Sequence, residues 1–137
     1  MLLLDEPLAS LDPLARREFL HVLMDAVRIG GCTALLSSHV ITDIEQACDH
    51  LVVLGGGRKL LDAPIAEAVA THGIVPGDLA GTPGAVGSFI EADGTRITLV
   101  ASAAVVPDLW KAGTGIRPAT LEEVVLGYLA SVRGPHR

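Results

Sequence analysis

The chain has 137 residues, of which 50% are hydrophobic and only 3% aromatic, and its formal net charge is −6. This length fits one domain, or part of one, with an aliphatic core. Because no dense cluster of Lys and Arg occurs, neither a nucleic-acid surface nor a polybasic membrane patch is indicated. Cys32 and Cys48 have no metal-binding spacing and indicate reduced thiols. No apolar run approaches the ~20 residues of a membrane span, so we expect a cytoplasmic protein without direct membrane insertion.

Two short apolar runs, over residues 2–4 and 33–36, predict strands separated by a helix. The first run stops at Asp5 and Glu6, and the second is followed by two serines and His39. Parallel strands joined by a right-handed crossover place their carboxyl ends at one edge of the sheet, where open α/β folds bind ligands. We therefore expect two carboxylates and an imidazole to meet there. One carboxylate suits a hard cation, the other suits a water molecule, and the imidazole suits a phosphoryl group.

The helix between these two strands has clear start and stop signals. Asp12 has the position of an N-cap before Pro13, and glycine follows the helical pattern at Gly30. A second, short helix is predicted over residues 41–48. Residues 1–73 thus alternate strands and helices, which predicts an α/β fold with a parallel sheet and flanking helices.

The middle of the chain shows shorter elements. Two short strands around the glycines at residues 55–57 predict a hairpin. A helix is expected to begin at Pro64 and to end at Gly73. Residues 74–87 are rich in Gly and Pro, and we predict a linker or an irregular crossing there.

The remaining part of the chain predicts a hairpin and a helix. Asp93 and Gly94 form a strong turn signal between two apolar segments. Thr120 begins a capping box, which predicts a last helix. Residues 74–137 are therefore expected to form a linker, a β-hairpin and a C-terminal helix, a small α+β appendage to a first domain over residues 1–73.

The motifs of the first domain resemble those of ABC-type ATPases. Residues 2–7 (Leu-Leu-Leu-Asp-Glu-Pro) resemble the Walker B strand with its catalytic glutamate, and residues 10–13 (Ser-Leu-Asp-Pro) resemble the D-loop. Residues 37–39 resemble the switch-histidine segment, and residues 49–58 are similar to the strand pair that follows it in transporters. These four motifs occur in the family's order over residues 1–72. The resemblance implies part of a P-loop NTPase sheet, the carboxyl-terminal half of an ABC cassette core.

This resemblance implies roles for individual residues. Glu6 and His39 are the expected catalytic residues. Asp5 and His39 are expected to contact the nucleotide, and Asp5 is expected to hold Mg²⁺ through water. The implied cofactors are ATP and Mg²⁺. The resemblance also implies that three adjacent residues form a D-loop at a dimer interface, namely Ser10, Leu11 and Asp12.

The family resemblance also implies partners. The chain is similar to an ATP-binding and ATP-hydrolysing subunit of an ABC transporter. Such a subunit works with a second cassette, in a homodimer or a heterodimer, and with a membrane permease that holds it at the inner face of the cell membrane. The sequence over residues 120–129 resembles the tail of drug-exporter cassettes, which favours export.

The 137 residues also depart from the family pattern, since they contain no G-x-x-x-x-G-K-[ST] phosphate-binding loop and no LSGGQ-like signature. We therefore expect a truncated cassette, an enzyme by family but inactive alone. Two alternatives stay open: a non-catalytic remnant that binds a partner, and a DNA-repair-type ABC ATPase. The hairpin before Arg58 and the lack of coiled-coil sequence argue against the second. The other histidines are expected at the surface or at helix ends, namely His21, His50, His72 and His136.

Overall fold

The structure, a computed structural model, describes residues 1–101 and 115–134. The chain divides into two compact units, Met1–Cys48 and Asp49–Arg137, which we call the first unit and the second unit. The described helices are α1 Pro13–Gly30, α2 Ile41–Ala47, α3 Ile65–Ala70 and α4 Leu121–Arg133. The described strands are β1 Leu2–Asp5, β2 Ala34–Ser37, β3 His50–Gly55, β4 Arg58–Pro64, β5 His72–Pro76, β6 Ala85–Ile90, β7 Arg96–Ala101 and β8 Arg117–Pro118.

The first unit has the predicted strand–helix–strand order. β1 and β2 are parallel, and α1 connects them in the chain. The Asp12 carboxylate caps α1 by accepting from the backbone N–H groups of Leu14 and Ala15 at 2.9 and 3.0 Å. Gly31 ends the helix with a φ of 58°, a conformation that favours glycine. The mixed α/β character and the parallel strand pair are therefore confirmed.

The sheet of the first unit is poorly covered. In this unit, the buried hydrophobic side chains are those of Leu8, Leu20 and Leu23. By contrast, Leu3 of β1 is 66% exposed and Leu35 of β2 is 57% exposed. A two-stranded sheet with exposed leucines is only marginally stable by itself, because three or more strands with a covered face are normally needed for independent stability.

The second unit contains a hairpin, β3–β4, and a four-stranded antiparallel sheet in the order β6-β7-β5-β8. The two predicted hairpins are thus confirmed. The capping box at Thr120 is also present, since its hydroxyl accepts from the Glu123 N–H while the Glu123 carboxylate accepts from the Thr120 N–H. Six residues form the buried core, namely Ala68, Ile74, Ile97, Leu99, Ala119 and Val124.

The prediction of an irregular linker over residues 74–87 is wrong at both ends. α3 ends at Ala70, before the predicted stop at Gly73, and β5 His72–Pro76 follows it directly. The other end of the predicted linker already belongs to β6. β5 pairs with β7, more than twenty residues away, and such long-range pairing leaves little local signal in a stretch of five residues.

His72 was predicted at the surface or at a helix end, and it lies just after the end of α3, where its Nδ1 contacts the Ala68 carbonyl, but it is not at the surface. Its side chain is buried, with only 4% of the residue exposed. His136 lies outside the described residues. The predicted division into residues 1–73 and 74–137 concerns the extent of the family core and stays a prediction, whereas the compact units meet after Cys48.

No helix within residues 1–101 and 115–134 has both the length and the apolar character needed to cross a bilayer.

Candidate functional site

The polar residues predicted to meet at the sheet edge do lie together. Asp5, the last residue of β1, is the register partner of Ser37, the last residue of β2. Glu6 follows the first strand and His39 follows the second, so both extend from the same edge. The parallel pairing therefore brings Asp5, Glu6 and His39 to one end of the two strands, as expected from the crossover topology.

Ser37 connects the two carboxylate residues. Its hydroxyl donates to Oδ1 of Asp5 at 2.6 Å and accepts from the backbone N–H of Glu6 at 2.8 Å. A short O–H···O⁻ bond of this kind is charge-assisted and fixes the orientation of the carboxylate. Ser37 thus sets the positions of Asp5 and of the Glu6 backbone together.

Glu6 and His39 form a direct side-chain pair. Nδ1 of His39 lies 3.0 Å from Oε2 of Glu6. An ionised carboxylate can only accept, so Nδ1 must carry the proton of this hydrogen bond. Among the described residues Nε2 of His39 has no partner, and 73% of its side chain is exposed. The pair therefore presents Nε2 to the solvent at the open edge of the sheet.

The backbone of Glu6 is unusual. Its φ is 45°, and it is the only non-glycine residue with positive φ in the part of the chain that the structure describes. This left-handed conformation costs roughly 1–2 kcal/mol for a residue with a Cβ. The bond to Ser37 and a turn bond from the Ala9 N–H to the Glu6 carbonyl, 3.2 Å long, hold it in place. Strain of this kind clusters at functional sites.

The predicted D-loop residues lie between this edge and α1. Asp12 caps α1, and the carbonyl of Leu11 accepts from Nε of Arg16 at 3.2 Å. Nη1 of Arg16 also contacts the buried carboxylate of Asp43 at 3.4 Å. Arg16 thereby ties the D-loop segment to α2, the helix that follows His39. Ser10 is exposed and lies in the turn before Leu11.

Asp5 has the chemistry for a magnesium ligand but does not provide a complete site. Its second oxygen, Oδ2, has no hydrogen-bond partner among the described residues, and Asp5 lines an open depression of about 190 Å³. Carboxylate oxygen suits Mg²⁺, which keeps several waters and needs six ligands. In the described part of the chain no three His, Cys, Asp or Glu side chains could together hold a metal. The residues therefore fit a cation whose other ligands come from water and phosphate.

Two features of this site were not predicted from the sequence. Ser37 was considered only as part of the segment before His39, although strand register alone places it opposite Asp5. The contact between Arg16 and Asp43 was not predicted either. A signal for Ser37 existed in the predicted parallel pairing. The contact between Arg16 and Asp43 depends on the placement of α2, which no local pattern reveals.

No protein-family model matches the chain. Curated relatives do match about half of it. The thiamine import ATP-binding protein ThiQ of Jannaschia sp. (strain CCS1) is 43% identical over 70 residues, which are 51% of this chain and 31% of that protein. The phosphonates import ATP-binding protein PhnC of Caulobacter vibrioides is 36% identical over 67 residues, 49% of this chain and 25% of that protein.

An export protein is among the relatives as well. The Nod factor export ATP-binding protein I of Neorhizobium galegae is 42% identical over 64 residues, which are 47% of this chain and 18% of that protein. The chain thus spans a third or less of the length of these three relatives. Their names include both import and export, so the similarity does not indicate whether transport is inward or outward.

Proposed function

We propose that this chain provides the water-activating half of an ATP-hydrolysing site in an ABC transporter, on the premise that about half of it is similar in sequence to ABC transporter ATP-binding subunits. The observation that carries the proposal is the hydrogen-bonded set formed by Asp5, Ser37, Glu6 and His39 at the carboxyl ends of β1 and β2. It combines a cation ligand, a proton acceptor and an imidazole at the edge where open α/β sheets bind ligands.

In this proposal Glu6 orients and deprotonates the attacking water. Its Oε2 accepts from His39, so the carboxylate is held in one direction while it retains further lone pairs for a water molecule. A positioned base contributes on the order of 10² to 10⁴ in rate. Bound Mg²⁺ supplies positive charge that offsets the charge on the phosphate oxygens, and Asp5 is its proposed protein ligand, through water.

His39 is proposed to contact the phosphoryl group through Nε2. Nδ1 of His39 is engaged by Glu6, so Nε2 is the ring nitrogen that remains to face a phosphate oxygen. We therefore propose that His39 lies between the Glu6 carboxylate and the nucleotide.

Hydrolysis further requires groups that these residues do not include. No phosphate-binding loop with its lysine occurs in the 137 residues, so the proposal needs one from outside them. We propose a second cassette, identical or different, that contacts the D-loop residues Ser10, Leu11 and Asp12, and a permease that keeps the assembly at the membrane. The resemblance of residues 120–129 to the tail of drug-exporter cassettes supports export.

The test compares the chain alone with a complemented cassette. We expect the chain alone to show no ATP turnover above background, since phosphoryl transfer depends on phosphate positioning. Mixing it with a polypeptide that carries a Walker A loop and a signature motif from an ABC cassette should restore turnover, and Glu6→Gln should remove it. Turnover by the isolated chain that Glu6→Gln abolishes would contradict the need for an external loop. Turnover in the complemented cassette that Glu6→Gln leaves unchanged would contradict the role of Glu6.

A non-catalytic, partner-binding role is the second candidate, and the absence of a phosphate-binding loop from the 137 residues favours it. In that case the complementing polypeptide would bind the chain without gaining ATPase activity. Binding measured beside turnover in the same mixture therefore separates the two functions.

A further inference from the structure

The second unit contains a groove that the proposed ATPase chemistry does not use. It has a volume of about 410 Å³ and runs along β6 Ala85–Ile90 beside the last turns of α4 Leu121–Arg133. Most of its lining is apolar, and its charged lining residues are Asp78, Arg96 and Arg133. Three features of the groove together indicate its occupant.

The first feature is a free strand edge. Among the strands of residues 1–101 and 115–134, β6 is an end strand, because the sheet order is β6-β7-β5-β8. The Glu91 N–H donates to the Thr95 carbonyl at the start of the β6–β7 ladder. Since hydrogen-bonded pairs alternate in an antiparallel ladder, Phe89 bonds toward β7 while the N–H and C=O groups of Ser88 and Ile90 point to the free edge. Such an edge can accept another strand.

The second feature is the apolar side of α4 that faces this edge. Leu126 lines the groove, and so do Leu129 and Ala130, which lie about one helical turn after it. Leu126 is 41% exposed, and Ile90 of the edge strand is 57% exposed. A strand added to β6 would direct every second side chain toward this part of α4, because strand side chains alternate between the two faces. The groove therefore suits an extended segment with apolar residues at alternate positions.

The third feature is the charge at the groove margins. Arg96 and Asp78 form an ion pair at 3.4 Å, and Asp78 also accepts from the Ser88 hydroxyl, so both charges are satisfied. Arg133 lines the groove in the last turn of α4 and has no ion-pair partner among the described residues. The groove thus carries a positive charge that no described carboxylate pairs with, and this charge fits a carboxylate of a bound segment.

We propose that this groove binds an extended peptide segment of a partner protein, which adds a strand to β6, places apolar side chains against α4 and pairs a carboxylate with Arg133. This mode of recognition combines main-chain hydrogen bonds, which give affinity, with side-chain contacts, which give specificity. The proposal does not depend on ATP hydrolysis, because every residue that carries it belongs to the second unit.

Charge complementarity favours a partner segment over a second copy of the chain. β6 contains no acidic residue, so an antiparallel pair of two β6 strands would bring no carboxylate to Arg133 from that strand. The nearest carboxylate in sequence, Glu91, is held by Arg117 at 2.8 Å. A partner segment with its own carboxylate can pair with Arg133, whereas β6 of another copy cannot.

The probe is a labelled hexapeptide, Lys-Val-Thr-Val-Thr-Val, with a free carboxyl terminus, titrated against the full chain by fluorescence anisotropy. We expect saturable binding with a Kd below about 1 mM, a value that corresponds to weak binding of a short peptide. The amidated peptide should bind about fivefold more weakly, and Arg133→Gln should remove that difference, because the charge-assisted bond is lost. Chemical-shift changes should map to β6 and α4. Absence of saturable binding, or a carboxylate preference that Arg133→Gln retains, would overturn the proposal.

The strand-addition geometry is tested with two substitutions at one exposed position. Ile90→Pro removes the edge-facing N–H without removing a bond to β7, whereas Ile90→Ala removes only the side chain. We expect Ile90→Pro to weaken peptide binding about tenfold relative to Ile90→Ala, with unchanged circular dichroism. Equal affinities for the two variants would overturn strand addition. Self-association of the chain that Ile90→Pro abolishes and Ile90→Ala retains would also overturn the proposal, since a second copy would then occupy the edge.

Discussion

The two units of the molecule differ in how well their apolar side chains are buried and in whether they carry the candidate site. The second unit has a closed core in which Leu99 and Val124 are completely buried. The first unit carries the candidate site but leaves Leu3 and Leu35 of its two-stranded sheet largely exposed. The chemistry-bearing residues therefore lie in the unit with the weaker core. The two units therefore differ in how well their apolar side chains are covered, and we expect the second unit to be the more stable of the two.

The largest difference in unfolding free energy between the two units should come from replacing a leucine with alanine in each of them. Leu99→Ala removes a fully buried side chain and should cost about 2–5 kcal/mol of unfolding free energy in the second unit. Leu3→Ala, at an exposed position, should cost less than about 0.5 kcal/mol in the chain alone. Hydrogen exchange resolved by residue measures each unit separately. A large loss on Leu3→Ala in the chain alone would show that the first unit already has a closed core.

A smaller difference in stability should appear when a glycine of each unit is replaced with alanine. A Cβ at Gly87 would collide with the backbone carbonyl of Gly127, so Gly87→Ala should destabilise the second unit by about 1–3 kcal/mol. No atom lies within 4 Å of the corresponding position at Gly30, at the end of α1. Gly30→Ala should therefore be neutral or stabilise the first unit by up to about 1 kcal/mol. Chemical denaturation followed by circular dichroism tests both, and a neutral Gly87→Ala would contradict the close packing of α4 on β6.

The smallest expected effect is the pH dependence of the stability of the second unit, which depends on His72. His72 is buried, its Nδ1–H donates to the Ala68 carbonyl at 2.6 Å, and its Nε2 accepts from the Tyr128 hydroxyl at 3.1 Å. Burial lowers the pKa of His72 below its ordinary value of 6.5, and the bond to Ala68 offsets part of this effect. Since the unfolded chain then binds the proton more readily, stability is fully present above about pH 6.5 and is lost as the pH falls.

The measurement is the unfolding free energy of the second unit at about pH 7.5 and about pH 5.5. We expect the wild-type chain to lose on the order of 1 kcal/mol between these values, and His72→Gln to lose clearly less. His21→Gln, at an exposed position of α1, is the control and should behave as the wild type does. Equal pH dependence of the wild type and His72→Gln would contradict a neutral, buried His72.

Much of the candidate site could be predicted because its determinants are local. Two apolar runs and a helix with an N-cap at Asp12 define the crossover, and crossover topology brings Glu6 and His39 to one edge. The hairpin at Asp93 and the capping box at Thr120 likewise depend on a few adjacent residues. These features follow from short sequence patterns and elementary strand geometry.

The features that could not be predicted depend on contacts between distant residues. β5 His72–Pro76 becomes a strand only because β7 pairs with it, and His72 is buried only because α4 brings Tyr128 to it. The contact of Arg16 with Asp43 requires the placement of α2. Nothing in the local sequence indicates the left-handed backbone of Glu6 either, since glutamate rarely adopts it.

The most direct test of the site is made in the complemented cassette, by measuring nucleotide affinity and single-turnover rate for the same variants. Glu6→Gln should slow hydrolysis on the order of 10² or more while affinity stays within about threefold, because only the proton acceptor is lost. Asp5→Asn should weaken both affinity and rate, and His39→Ala should slow the rate with little effect on affinity. If Glu6→Gln instead lost nucleotide binding and kept its single-turnover rate, the assignment of Glu6 as the water-activating residue would be wrong.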